Sequence, residues 1–141
     1  MTVHLLRPAA GCPDLDTLRH RQAGMGGTYR GRRCPAAFTR TIPKRRSEIL
    51  DGGSVYWIVR HSIQARNPIA GIETEHSGDG RPYALIYLEP VIIPVKPTAR
   101  RAFQGWRYLE PDQAPPDISE DPDSDDLPPH LVKELRDLGL L

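Results

Sequence analysis

Cysteine, aromatic residues and long apolar runs are all scarce in this chain of 141 residues. Only Cys12 and Cys34 are present, with no Cys-x-x-Cys spacing, so neither a disulfide framework nor a zinc site is indicated. A reducing compartment fits that usage, and a single Cys12–Cys34 pair stays compatible with it. The longest apolar stretch, residues 83–95, is interrupted by Glu89, Pro90 and Pro94, so no membrane span is expected. Residues 3–6 are too short for a signal peptide and Arg7 ends them, which makes the cytoplasm the expected location. No Ser-His-Asp order, P-loop or dinucleotide glycine pattern is present, and Gly24-Met25-Gly26-Gly27 leads into no helix with a Lys-Ser or Lys-Thr pair. His4, His20, His61, His76 and His130 are scattered, so no metal or cofactor is expected.

What the chain does have is charge, divided at one place. Residues 1–109 hold 17 Lys and Arg against 8 Asp and Glu, while residues 110–141 hold 2 against 10. The formal net charge of +1 therefore conceals a basic body followed by an acidic tail. Sixteen of the 19 basic residues are arginine, whose planar fork suits phosphate and base stacking better than lysine's ammonium; a GC-rich genome would produce the same bias. A cationic surface with aromatic platforms points to nucleic acid, and an acidic tail is a natural competitor for it.

Fifteen Pro and twelve Gly argue for short strands and turns rather than long helices. Strands are expected over residues 2–6, 38–41, 55–60, 62–66, 69–74, 83–88, 91–95 and 106–109. Helices are expected over 13–23 and 43–51, and a mobile basic loop over 24–34. In the run at 55–60, Tyr56 and Trp57 must point to opposite faces. The expected fold is α+β, a small mixed β-barrel with two short helices, over residues 1–109. Residues 110–128 read as an acidic, proline-rich linker, and 129–141 as a short C-terminal helix with Leu131, Leu135 and Leu138 on one stripe.

The candidate nucleic-acid surface comprises Arg45, Arg46, Arg60, Arg66, Arg100, Arg101 and Arg107, with Trp106 and Tyr108 as stacking platforms. The competing fate of Trp106 is a plug in the barrel, with the arginines around its rim. Arg45 and Arg46 share the first turn of the second helix with Lys44, a placement against the helix dipole unless something anionic approaches. Lys44 and Glu48 are four apart, the spacing of an acid/base pair or of a surface ion pair. Three functions follow: an RNA-binding module, an enzyme acting on a modified nucleoside or nucleotide near Lys44 and Glu48, or an adaptor whose acidic tail and terminal helix engage a protein partner. The tail is also placed to fold over its own basic face.

The order helix, Gly52-Gly53, aromatic strand, Gln64-Ala65-Arg66 and then Arg101-Ala102-Phe103-Gln104-Gly105-Trp106-Arg107-Tyr108-Leu109 resembles a bacterial family known as domain of unknown function 1489. The resemblance covers residues 2–118 and leaves the acidic tail as an addition to this chain. It implies no particular activity. A more distant similarity is to the PUA and ASCH-like barrels, small folds associated with RNA. In those a short helix, a glycine and a strand line a cleft, as residues 48–55 would. The lysine after the glycine and the Glu-x-Arg of the ASCH pattern are missing here.

Overall fold

Strand β5 (Ser54–Val59) has every residue buried, which makes it the centre of the molecule. The alternation expected there is realised. Val55, Trp57 and Val59 enter the larger core, while Tyr56 and Ile58 enter a smaller one on the other face. A strand covered on both faces needs an apolar residue at each position, and this run supplies it. The computed structural model describes residues 2–9, 11–24 and 27–118.

Around β5 the sheet is mixed. Strand β1 (His4–Pro8) pairs with β5 in parallel, and β9 (Arg107–Leu109) pairs antiparallel with the outer edge of β1. On the other side β5 forms a hairpin with β6 (Ser62–His76). β6 is the long element of the fold. Its C-terminal part pairs with β7 (Pro82–Leu88), its first residues pair with β8 (Ile93–Ala99), and β4 (Ala36–Thr39) pairs with β7. The register shifts between Ile69 and Gly71, where the sheet curls into a half-barrel. With helices α1 (Leu15–Ala23) and α2 (Arg46–Ile49), the fold is α+β as expected.

Both helices have local causes. Asp14 caps α1, its carboxylate accepting the Thr17 N–H at 2.7 Å, and those bonds hold Asp14 below the usual carboxylate pKa. Helix α2 is shorter than the expected 43–51 because Tyr108 intervenes: its hydroxyl accepts the N–H groups of Lys44 at 2.9 Å and Arg45 at 3.1 Å, so those residues stay outside the first turn. Behind α2, Gly53 is obligatory. A Cβ there would lie 2.4 Å from the Ile49 carbonyl oxygen and 2.5 Å from that of Val3.

The segment 24–34 departs from the loop expected for it. It contains a small hairpin, β2 (Thr28–Tyr29) and β3 (Arg32–Arg33). Tyr29 anchors it by stacking on Tyr87 with ring centroids 4.8 Å apart, directly over Gly71, and Arg32 forks onto Glu89 at 2.9 and 3.0 Å. Asn67 and Pro68, which fall in the gap between the strands expected over 62–66 and 69–74, lie within β6, and Asn67 is fully buried. Cys12 and Cys34 are both buried and free.

The chain also stays on the body past the charge boundary at 109/110. Residues Pro111–Gln113 form one 3-10 turn, Ala114 packs on the smaller core, and Asp117 bridges to Val95. The rest of the acidic segment and the expected terminal helix lie outside the described residues. Among the described residues no helix is long and apolar enough to cross a membrane.

Candidate nucleic-acid interface

Strand direction determines where the arginines go. β1 and β5 run in parallel, so Arg7 and the end of β5 reach the same side of the sheet. Antiparallel pairing brings three further points to that side. They are the β5–β6 turn at Arg60-His61, the end of β8 leading into Arg100 and Arg101, and the start of β9 at Arg107. The His61 carbonyl accepts the Arg100 N–H at 2.9 Å, which fixes the turn against the β8 exit. Arg60, Arg100, Arg101 and Arg107 are all exposed. Among the described residues none of these four forms an ion pair; Arg107 instead lies 4.3 Å over the Phe103 ring. The carboxylate that feels this edge is Asp14, whose pKa Arg60 helps to lower.

The turn itself is strained. Arg60 and His61 both adopt positive φ, 52° and 65°. Two-residue hairpin loops of this kind ordinarily use Asn-Gly, and a side chain at each position costs on the order of 1 kcal/mol. Beside the turn lies an open cleft of about 480 Å³ lined by Pro8, Ala9, Cys12, Arg60, His61 and Ala102.

The remaining arginines of the expected surface are occupied elsewhere. Arg66 forks onto Asp117 at 2.7 and 2.8 Å and donates to Ser54 Oγ at 2.9 Å. Arg45 bonds Glu48, bonds Glu110 at 2.7 Å, and lies 5.2 Å over the Tyr108 ring. These two carboxylates hold its pKa above the usual arginine value. With Lys44 and Arg45 outside the helix, the expected cationic first turn of α2 reduces to Arg46 alone. Arg46 donates to the Ile72 carbonyl.

Trp106 takes the plug position. It is half-buried against the larger core, and its indole N–H donates to Thr39 Oγ1 at 3.1 Å and the Thr41 carbonyl at 3.0 Å. Tyr108 meets it edge-on at 4.9 Å. Both rings are committed to packing and hydrogen bonding. Lys44 is exposed, and the Glu48 carboxylate is taken by Arg45, so the structure does not join Lys44 and Glu48 as a pair.

Two features of the surface escape a sequence reading. The first is a group of half-exposed rings: Phe38 against Tyr83 at 5.0 Å with Arg40 over both, and Arg30 over Tyr29. Their spacing in sequence carries no signal, because β4 and β7 meet only through long-range pairing. The second is Arg7, half-buried at the end of β1.

The family model described as protein of unknown function (DUF1489) matches residues 5–141. The match runs through the acidic tail, so the tail is part of the family's pattern and not an addition to this chain. No curated protein and no solved structure matches.

Proposed function

Since the chain belongs to the DUF1489 family, proteins of unknown function, we propose a role from the chemistry of its own surface: a nucleic-acid-binding module that holds RNA phosphates at the arginine-bearing end of the sheet. The observation that carries this reading is the partition of the guanidinium groups. Arg45 and Arg66, at the opposite end, are matched by Glu48, Glu110 and Asp117, while Arg60, Arg100, Arg101 and Arg107 have no described acid bonded to them. Unmatched arginines converging from separate strands provide a field for a polyanion, and the strained Arg60-His61 turn is the kind of backbone cost that functional surfaces retain. Binding, not catalysis, fits the separation of Lys44 from Glu48.

Titrating the full-length protein into a fluorescent structured RNA at increasing salt tests this. Affinity should fall with a log–log slope of about −0.7 for each phosphate contact on a single strand, so about −2 to −3 for the four arginines acting together. Replacing Arg60, Arg100 and Arg101 with Gln should weaken binding and flatten that slope. Absence of binding at ~50 mM salt, or binding indifferent to salt, rejects the proposal.

A further inference from the structure

The chain has nine Tyr, Phe and Trp in all, yet four of them stand on one solvent-facing surface. Strand β7 alternates: Ala84, Ile86 and Leu88 are buried, while Tyr83, Leu85 and Tyr87 point outward and are half-buried. Register carries that outer face across both neighbouring strands. Phe38 on β4 lies beside Leu85, Leu85 lies beside Glu73 on β6, and Tyr83 lies beside Glu75. Phe38 meets Tyr83 with ring centroids 5.0 Å apart, and Tyr29 extends the row by stacking on Tyr87. At 46% Phe38 is the most exposed large apolar side chain among the described residues. Rings normally supply the core, so their collection on an outer face marks a contact surface.

The charges around the rings decide what that surface contacts. Directly after β4, Arg40 holds its guanidinium 5.4 Å from the Phe38 ring centre and 5.7 Å from that of Tyr83, and bonds Ser77 Oγ at 3.1 Å. On the β6 side, Glu73 and Glu75 are exposed. Among the described residues none of these three charges is in an ion pair. A strand of RNA would find rings to stack on but two carboxylates beside them, which repel phosphate. The partner that fits has an acidic flank to face Arg40, a basic flank to face the glutamates, and apolar side chains between. The face itself has that arrangement once it is turned half a revolution about the direction of β7, because the turn lays the β4 side of one copy on the β6 side of the other.

We propose that this face joins two copies of the chain in a homodimer, sheet against sheet, about a two-fold axis along β7. Phe38, Tyr83 and Leu85 form its apolar centre, and Arg40 of each copy pairs with Glu73 and Glu75 of the other. The alternative two-fold axis, across the strands, would lay β4 on β4 and β6 on β6 and bring like charges to the same side. Charge therefore selects one of the two symmetric packings. Three strands of about six residues span roughly 15 by 20 Å, well below the about 800 Å² per partner of a standard interface, so the expected dissociation constant is about 10–100 μM. The inference does not depend on the RNA reading.

Sedimentation velocity of the full-length protein from ~5 to ~500 μM tests it, with monomer passing to dimer across that range. Phe38→Asp, at an exposed position that the fold tolerates, should stay monomeric throughout. Arg40→Glu and, in a second protein, Glu73→Arg with Glu75→Arg should each weaken association about tenfold or more. Mixing those two proteins in equal amounts should restore it, since one face is then acidic on both flanks and the other basic on both. Misfolded variants would show no such recovery. The inference is overturned if the parent is monomeric at ~500 μM, if Phe38→Asp leaves a dimer intact, or if mixing restores nothing. It is also overturned if Phe38→Asp weakens RNA binding and leaves association unchanged, which would give the face to RNA. A monomer that binds RNA with salt dependence removes this inference and leaves the arginine interface standing. A dimer of this kind that binds no RNA does the reverse.

Discussion

Replacing Asn67 by Leu should be among the most damaging single changes available to this fold. Asn67 is fully buried, and its Oδ1 accepts the Trp57 indole N–H at 2.8 Å and the Gln22 amide at 3.0 Å. Its Nδ2 donates to Gln22 Oε1 at 2.9 Å, the Glu89 carbonyl at 3.1 Å and the Val91 carbonyl at 2.9 Å. One side chain thus fastens β5, α1 and the segment joining β7 to β8. Leucine has nearly the same shape but leaves the Trp57 N–H, both ends of the Gln22 amide and the Val91 carbonyl without these bonds; the Glu89 carbonyl keeps the Val91 N–H. Orphaned buried groups cost about 1–3 kcal/mol each, and the gain from burying leucine returns about 2 kcal/mol. For four such groups the net expectation is a loss of about 2 kcal/mol at the least and more than twice that at mid-range, from a total stability of about 5–15 kcal/mol. Urea denaturation followed by tryptophan fluorescence, with Trp57 as a local reporter, measures it. A thermal melt should fall by roughly 10–20 °C. A variant within about 1 kcal/mol of the parent would show that the network does not hold the molecule together.

Gly71→Ala places a Cβ 2.2 Å from the Tyr29 ring, so Tyr29 must leave its stack on Tyr87. The expected loss is about 1–3 kcal/mol, with trypsin cutting faster at Arg30, Arg32 and Arg33; an unchanged digestion rate counts against the docked hairpin. His4 gives a pH dependence. Its Nδ1 accepts the Ser54 N–H at 3.0 Å, and burial, then the charge of Arg66, lowers its pKa against a smaller opposing pull from Glu110. The unfolded chain takes up that proton near pH 6.5 and the folded chain only lower. Stability is therefore full above about 6.5 and declines as pH falls toward the folded value, by at most about 1.4 kcal/mol per pH unit. His4→Asn, which keeps an acceptor near Nδ1, should flatten this part of the profile measured by denaturant melts; an equal slope in both proteins argues that His4 is not its source.

Local patterns were readable wherever the cause was local. The apolar run at 55–60 names its own strand and the division of its faces, and Asp14 marks the start of α1. The basic segment 24–34 was opaque because its order depends on Tyr29 reaching Gly71 and Tyr87, residues more than forty positions away. Trp106 and Tyr108 look like binding platforms in a row of arginines. Only contacts with Thr39, Thr41 and the Lys44-Arg45 segment before α2 show that they are engaged inward. Arg7 carried no signal, since a single arginine closing a short apolar run has many fates. The grouping of Arg60, Arg100, Arg101 and Arg107 required the direction of β1 against β5, a choice that residue spacing does not encode.

The break in charge at residues 109/110 takes on a different meaning in three dimensions. Composition alone makes it a border between a basic body and an acidic appendage. In the fold, two of the first three acids beyond it, Glu110 and Asp117, are counter-charges for Arg45 and Arg66, and Ala114 between them packs on the smaller core. Asp117 and Arg66 are both largely buried, so removing either would strand the other away from water. A truncation at residue 110 would therefore injure the body along with the tail, and any effect on RNA affinity would confuse the two. The cut that isolates the remaining acids falls after Ile118. Among the described residues, the early acids therefore neutralise one end of the sheet, while none is bonded to Arg60, Arg100, Arg101 or Arg107 at the other.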